Sequence, residues 1–213
     1  YHHFDVLDHS FLVCNACPAG MEHIHIRLAG LFHDIGKPAA RKEAADGSCT
    51  FYRHEAVSEK MTRSIMRRLK YSNAVIEKTA HLVAEHMFHY DPSWTDAAVR
   101  RFIVRVGKEN IDDLFALRKA DVFGLTGTYA KPSFIVEFTA RIDTLLKEDG
   151  AYSLKDLAVN GKDLIAIGIP AGKYLGLVLH DLLETVLDDP AQNTKEALLP
   201  IAAALYERIQ RFQ

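Results

Sequence analysis

Apolar residues recur every three or four positions through most of the 213-residue chain, which is the spacing of an amphipathic α-helix. One apolar set shares a helix face near the start of the chain: Phe4, Leu7, Phe11 and Leu12. A second set shares a face of the next helix: Ile24, Leu28, Leu31, Phe32 and Ile35. Gly36 and Pro38 predict the end of this second helix, because proline cannot continue it. Residues 39–53 are polar, and the Asp46-Gly47 turn leaves room for one short hairpin.

The remaining chain is also predicted to be helical. Helices are expected at about residues 54–70, 73–89, 95–107, 110–124, 133–148 and 194–212. Ser72 or Asn73, and Thr95, supply N-cap chemistry. Between residues 150 and 190, glycine and proline interrupt the pattern and predict short helices, with Asn160-Gly161 as a turn and helix cap. The sequence therefore predicts an all-α chain with a boundary near residues 126–132, which separates a domain at 1–128 from a smaller helical domain at 129–213.

Composition and charge narrow the class of protein. Hydrophobic residues make up 48% of the chain and charged residues 25%, as in ordinary globular proteins. The net charge of −2 gives no overall basic signature for nucleic acid, although local basic runs exist. No apolar run reaches the roughly 18 residues of a membrane span, and no secretory segment is visible, so a cytoplasmic protein without membrane contact is expected.

Three cysteines, an odd number, argue against a secreted disulfide framework. Cys14 and Cys17 form a C-x-x-C pair, but no second pair completes a tetrahedral zinc site. Ordinary packed thiols are favoured over a zinc or redox role.

Histidine is unusually frequent, with 11 residues, and several of them lie on separate predicted helices together with aspartates. In chain order the potential ligands are His9, His33, Asp34, His54, His86 and Asp121. Helices of a bundle can bring such residues to one centre. Mixed imidazole and carboxylate ligation suits Mn, Fe, Co or Ni and tolerates Mg. His81 and His89 are rivals of His86 for its position.

These residues carry a resemblance to the HD superfamily of metal-dependent phosphohydrolases. "DVLDHS" resembles the helix with the first histidine of that family, and "LFHDIGKP" its signature. "RHEAVSEKM", "LVAEHM" and "RKADVFG" resemble its later ligand helices. Because all six ligand positions are filled, the resemblance implies a helical HD bundle with two divalent metal ions. It also implies phosphodiesterase or phosphatase activity on nucleotides or on RNA-terminal phosphates.

Within that resemblance, each candidate residue receives a role. One ion would be held by His9, His33, Asp34 and Asp121, and the second by His54 and His86 with Asp34 shared. Asp34 is thus expected to be catalytic. Lys37 and Arg118 are candidate phosphate ligands, for which a solvated or ion-paired side chain is the equal alternative. Asp5 is favoured as a helix-capping acid over a hydrogen-bond partner of His9.

The end of the chain carries a second resemblance. "LAVNGKDLIAIGIPAGKYLGLVLHDLLETVLDDPAQN" resembles the C-terminal segment of bacterial tRNA nucleotidyltransferases of the CCA-adding and poly(A) polymerase family. No G-[GS]-x-x-R…D-x-D stretch for nucleotide and Mg²⁺ is present, and the chain starts without Met. The resemblance therefore implies a fragment that lacks an N-terminal nucleotidyltransferase head and does not add nucleotides by itself.

Two functional hypotheses follow for a chain that resembles an HD domain followed by the C-terminal segment of a tRNA nucleotidyltransferase. The first is a metal-dependent phosphohydrolase within a tRNA nucleotidyltransferase-type protein that takes part in tRNA processing. The second is a non-catalytic scaffold that positions tRNA for the missing head, although a scaffold has no physical need for six potential ligands. Basic residues that could follow RNA phosphates include Arg67, Lys70, Arg101 and Arg105, and a solvated face with acidic partners is the equal alternative for them.

Overall fold

The computed structural model describes residues 5–128, 133–148 and 151–211 of an all-α chain, as the sequence predicted. It divides into two compact units, one formed by Tyr1–Tyr90 with Val106–Glu137 and the other by Asp91–Arg105 with Phe138–Gln213. The two domains predicted from the sequence are each one continuous stretch of chain, whereas each of these units consists of two separate stretches. Whether either division corresponds to independent domains stays a prediction.

Helices account for most of the described chain, with one small sheet. The helices are α1 Val6–Ala16, α2 Ile24–Phe32, α3 Lys37–Ala40, α4 His54–Arg68, α5 Asn73–Glu85, α6 Asp96–Val106, α7 Ile111–Thr126, α8 Ser133–Lys147, α9 Gly161–Ala166, α10 Lys173–Asp188 and α11 Lys195–Arg211. The strands are β1 Lys42–Glu43 and β2 Cys49–Thr50. They pair antiparallel, with Lys42 opposite Thr50, which confirms the hairpin predicted around Asp46-Gly47.

In the first unit, α1 packs on α2 and α7, α2 packs on α5, and α5 packs on α4. The core between these helices contains fully buried aliphatic side chains, among them Val13, Ile26, Met66, Leu82 and Leu114. Asp5 is the N-cap of helix α1, and its carboxylate accepts a hydrogen bond from the backbone N–H of Asp8 at 2.8 Å. The capping role expected for Asp5 is therefore confirmed.

The buried face of α1 differs from the apolar face read from the sequence. Leu7 and Phe11 are 59% and 55% exposed, whereas His9, Ser10 and Val13 face the core. The prediction was wrong because apolar periodicity alone selects the most hydrophobic face, and in α1 the packed face carries a buried histidine. Phe4 lies outside the described residues.

The end of α2 also differs from the prediction. Helix α2 ends at Phe32, and a turn leads directly into α3, in which Pro38 occupies one of the first two positions. Proline is well accommodated there because the backbone N–H that it lacks would have no partner within the helix. Pro38 therefore begins a short helix instead of only terminating one.

Helix α5 is shorter than predicted, because it ends at Glu85 and not near residue 89. Its N-cap is Ser72, whose hydroxyl accepts a hydrogen bond from the backbone N–H of Val75. Thr95 makes the corresponding contact before α6, where it accepts from the backbone N–H of Ala98 at 3.2 Å. Both residues had been proposed as caps from the sequence.

The second unit has its own core, formed by apolar residues of α9, α10, α11 and the segment before α9. Asn160 caps α9 as predicted, because its side chain accepts from the backbone N–H of Lys162 and its own N–H donates to Asp163. Within this unit, Arg101 of α6 pairs with Glu184 and Asp188 of α10. Among the described residues, no helix combines the length and the apolar character that crossing a bilayer requires.

Candidate metal centre

Six side chains from five segments of the chain meet inside the first unit. Ligand atoms of His9, His33 and Asp121 lie within 4.8 Å of one another, and those of Asp34, His54 and His86 do the same. Five of the six residues are buried, and Asp121 is partly exposed. The structure therefore brings together the whole set of metal ligands predicted from the sequence, in two adjacent groups.

Asp34 connects the two groups through its two carboxylate oxygens. Oδ2 lies 3.3 Å from Nε2 of His33, on the side of the first group. Oδ1 lies 3.1 Å from Nε2 of His54 and 3.8 Å from Nε2 of His86, on the side of the second. One carboxylate thus presents one oxygen to each group, which is the arrangement that a bridging ligand needs.

Three of the histidines are oriented by backbone carbonyls. Nδ1 of His33 donates to the carbonyl of Gly30 at 2.8 Å, and Nδ1 of His86 donates to that of Val83 at 2.7 Å. Nδ1 of His54 donates to the carbonyl of Phe51 at 2.9 Å. Such contacts fix the ring and leave Nε2 as the ligating atom. Sequence reasoning missed them, because a carbonyl acceptor carries no residue-specific signal.

These orientations fit a bound cation. In His54 and His86, Nδ1 carries the proton that is donated to a backbone carbonyl, so in the neutral ring Nε2 carries a lone pair. These two Nε2 atoms lie 3.2 Å apart. Nε2 of His9 and Nε2 of His33 lie 3.3 Å apart in the first group. Imidazole lone pairs that face one another beside carboxylate oxygens form a donor set suited to a divalent transition-metal ion.

Electrostatics at the centre also favour a positive charge. Burial by itself would raise the pKa of Asp34 and lower that of His33. The mutual hydrogen bonds outweigh it, so the pKa of Asp34 falls well below its usual range and that of His33 rises to about 9. The pKa of Asp121 is likewise lowered by His33 and His9 against the effect of burial. Burial lowers the pKa of His86 to about 3, which keeps that ring neutral and able to ligate.

Two glycines permit the close approach of the segments that carry these ligands. A Cβ atom at Gly36 would lie 2.6 Å from the carbonyl oxygen of His54 and 2.7 Å from the backbone nitrogen of Ser58. A Cβ atom at Gly124 of α7 would lie 2.6 Å from Cγ2 of Val13 and 3.1 Å from the ring of His9. Gly36 thus brings the start of α4 against the turn that holds Asp34, and Gly124 brings α1 against α7.

The three histidines near residue 86 differ in their surroundings. His86 is buried and faces Asp34, whereas His89 is exposed. Nε2 of His81 is 2.7 Å from the carbonyl oxygen of Val106, outside both groups. The end of α5 at Glu85 separates His86 from His89, so the two do not share a helix face.

Lys37 and Arg118 both lie at the centre. Nζ of Lys37 is 2.5 Å from Oδ2 of Asp34. Nη1 of Arg118 is 3.4 Å from Oδ2 of Asp121, and Nη2 donates to the carbonyl of Phe88 at 2.8 Å. Both cations therefore contact a candidate metal ligand, and whether either binds phosphate stays a prediction.

The four predicted RNA-binding residues differ in the partners that each of them contacts. Arg67 and Lys70, at the end of α4, are exposed and make no ion pair with described residues. Arg101 is engaged by two acidic residues of α10. The guanidinium of Arg105 lies 5.6 Å from the centre of the Phe102 ring. Of these cations, Arg67 and Lys70 are the most available to an external anion.

Fold and site together define a helical domain with a buried pair of His/Asp groups. Comparison with known proteins gives its family. Residues 49–202 match the family model described as tRNA nucleotidyltransferase domain 2. Since the match covers more than half of the chain, the protein belongs to this family.

Two curated relatives are similar to most of the chain. The A-adding tRNA nucleotidyltransferase of Deinococcus radiodurans is 29% identical over 200 residues, which cover 86% of this chain and 43% of the relative. The CC-adding tRNA nucleotidyltransferase of Thermus thermophilus is 29% identical over 176 residues, which cover 82% of this chain and 38% of the relative. The chain thus spans less than half the length of each relative. No solved structure matches it.

Proposed function

We propose that this chain is the HD-type, metal-dependent phosphohydrolase part of a tRNA nucleotidyltransferase-type protein, and that it hydrolyses phosphate esters of nucleotides or of RNA ends. The observation that carries the proposal is the carboxylate of Asp34, which presents Oδ1 to the second ligand group and Oδ2 to the first. A protein that serves only as a scaffold gains nothing from burying so many ionisable groups, since burial of charge costs free energy.

Each residue has a defined part in this proposal. His9, His33 and Asp121 would hold one divalent ion, His54 and His86 the other, and Asp34 would contact both. When bound, two such ions would supply the positive charge that neutralises a phosphate ester and activates water as the nucleophile. Lys37 reaches the same carboxylate oxygen of Asp34 that faces the first group, so its ammonium group is placed to pair with a phosphate oxygen.

The test is hydrolysis by metal-replete protein. Purified protein is depleted with a chelator, reloaded with Mn, Co, Ni, Fe or Mg, and assayed with bis(p-nitrophenyl) phosphate and with adenosine 2′,3′-cyclic phosphate. Wild type is expected to be active with at least one metal. His33→Ala and Asp34→Asn are expected to lower the hydrolytic activity by more than about a hundredfold. Even substitutions of residues that only contact a metal ligand lower metal affinity or activity by about ten to a hundredfold.

His89→Ala is the matched control, because His89 is an exposed histidine three positions from His86 and outside both groups. It is expected to keep wild-type activity. If metal-replete wild type is inert toward cyclic and linear phosphodiesters and nucleotides, the phosphohydrolase proposal is abandoned.

We also propose tRNA as a partner, because both relatives are by name tRNA nucleotidyltransferases. The exposed cations Arg67 and Lys70 are the contacts that the structure favours. The double variant Arg67→Ala, Lys70→Ala is expected to bind tRNA more weakly. Its affinity should also depend less on salt concentration, because each lost phosphate contact reduces the number of counterions released on binding. Lys119→Ala, an exposed lysine on α7, is the control. Binding of tRNA by a metal-replete protein without any hydrolysis would favour the scaffold hypothesis.

Nucleotide addition is proposed to need a part of the protein that this chain does not include, because the chain spans 43% and 38% of the two relatives. The chain alone is therefore expected to incorporate neither CTP nor ATP into tRNA. Incorporation of radiolabelled nucleotide by the purified chain would contradict this.

A further inference from the structure

A cavity of about 620 Å³ opens beside the second ligand group. His54 and Lys37 form its wall toward the centre, and Phe51, Tyr52, Arg53 and Met87 line the rest together with Glu55. Its size is that of a small-molecule site. An aromatic pair and two cations thus line a cavity in which one wall is a candidate metal ligand.

Among the large apolar and aromatic residues that the structure describes, Tyr52 is the most exposed, with 82% of its surface accessible. It makes no hydrogen bond and no ring contact with any described residue. Folding therefore gains almost nothing from this aromatic side chain, whereas an exposed ring at a cavity offers a flat face to a planar ligand. Aromatic side chains of this kind are what nucleobases stack on.

Arg53 adds a cation in an unusual backbone conformation. Its φ angle is +60°, in the left-handed region that residues with a side chain rarely adopt. It precedes His54, the first residue of α4, and its guanidinium makes no hydrogen bond or ion pair with a described residue. Strained residues of this kind cluster at functional sites. Arg53 and the candidate ligand His54 thus line the same cavity.

The charges of the cavity suit an anion. Lys37 and Arg53 contribute two positive charges against the one negative charge of Glu55. Lys37 is paired with Asp34, whereas Arg53 makes no ion pair with a described residue, so Arg53 is the more available of the two cations. A guanidinium group pairs with phosphate through two parallel hydrogen bonds.

From these observations we infer that the cavity binds the nucleoside part of a nucleotide, with the base stacked on Tyr52 and the phosphate paired with Arg53. The inference rests on the proposed function and deepens it, because it assigns the residues that would recognise the nucleobase and the phosphate. Both a free nucleotide and the terminal nucleotide of an RNA have this chemistry.

The first experiment compares two substrates of Mn-loaded protein, adenosine 2′,3′-cyclic phosphate and glycerol 1,2-cyclic phosphate, which lacks a base. Tyr52→Ala is expected to raise KM for the nucleotide by about tenfold and to leave KM for the glycerol ester unchanged, since stacking supports only the base. Tyr52→Phe is expected to behave like wild type, because it keeps the ring. Phe11→Ala is the control, an exposed aromatic residue of α1 outside the cavity.

Arg53 is tested with the same two substrates. Arg53→Ala is expected to raise KM for both, because both carry the phosphate, and Arg53→Lys is expected to recover part of the loss. If Tyr52→Ala leaves KM for the nucleotide unchanged, or if Arg53→Ala leaves KM for both substrates unchanged, the inference is overturned even though hydrolysis continues.

A second measurement separates this inference from the proposed function. Binding of AMP, and of an oligoribonucleotide that ends in adenosine, is titrated by calorimetry against wild type and Tyr52→Ala. Binding that Tyr52→Ala weakens in a protein without hydrolytic activity would support the nucleotide site and reject the phosphohydrolase. Equal binding by the two proteins, or none by wild type, would overturn the site. Preference for AMP or for the oligoribonucleotide distinguishes a free nucleotide from an RNA end.

Discussion

Oδ1 of Asp34 lies 3.1 Å from Nε2 of His54, and this contact joins the turn after α2 to the first residue of α4. It depends on Gly36, since a side chain at that position would collide with the backbone of His54. The second oxygen of Asp34 faces His33. The contact between Asp34 and His54 thus connects the two ligand groups.

Metal content should depend on Asp34 more than on any single histidine. Wild type is expected to retain about two divalent ions per chain after dialysis, the number used by two-metal phosphohydrolases. His86→Ala is expected to lose about one of them, because it removes a ligand from the second group only. Asp34→Asn is expected to weaken both sites. Elemental analysis of the purified proteins measures each case.

The exposed His89 again supplies the control, since His89→Ala should retain as much metal as wild type. Equal metal content in Asp34→Asn and wild type would show that the carboxylate does not connect two sites.

The contact between α1 and α7 should be intolerant of a methyl group at Gly124. The added Cβ would lie 2.6 Å from Cγ2 of Val13, so the helices must move apart. Gly124→Ala is expected to lower the free energy of unfolding by about 1–3 kcal/mol, which is typical of overpacking. Chemical denaturation measures the change.

Gly176→Ala provides a matched comparison, for which the free energy of unfolding is expected to change in the opposite direction. Gly176 lies in α10, and a Cβ there meets nothing within 4 Å. The substitution is expected to stabilise the protein by up to about 1 kcal/mol, because alanine favours a helix more than glycine does. Destabilisation by both substitutions to the same extent would contradict the packing argument.

Cys17 is expected to resist alkylation in the folded protein. Only 4% of its surface is accessible, and burial, together with the neighbouring Cys14, raises the pKa of its thiol to about 12. The nucleophile is the thiolate, so very little of the reactive form exists at pH 8. After treatment with iodoacetamide, mass spectrometry should find label on Cys14 and Cys49, which are partly exposed, and not on Cys17.

Denaturant is the control for this experiment, since unfolded protein should be labelled at all three cysteines. Rapid labelling of Cys17 in native protein would show that the end of α1 opens readily.

Removal of the cap of α9 should destabilise the second unit. Asn160 accepts from the backbone N–H of Lys162, and Asp163 accepts from the N–H of Asn160. Asn160→Ala is expected to cost about 1 kcal/mol. Thermal unfolding should therefore shift by roughly 2–4 °C to lower temperature. Asn73→Ala is the control, because Asn73 is exposed and its side chain makes no capping bond; an equal shift for both would exclude the capping effect.

Several features of the fold could be predicted because their causes are local. Ser72, Thr95 and Asn160 cap helices through their own side chains, and the Asp46-Gly47 turn closes its hairpin. Predictions that depended on which face of a helix packs against the neighbouring helices were less reliable. The apolar face of α1 proved to be exposed at Leu7 and Phe11, because the packing of α1 on α2 and α7 selects the face that carries His9.

The sequence by itself determined the helical class, most helix positions and the six candidate ligands, since spacing, caps and residue chemistry are properties of the chain. Only the tertiary structure decided that His86 and not His89 joins the centre, and that Asp34 presents one oxygen to each group. It also revealed the carbonyl acceptors that orient the rings and the glycines that let the segments approach. These features depend on distances between residues far apart in the chain, which no local pattern encodes.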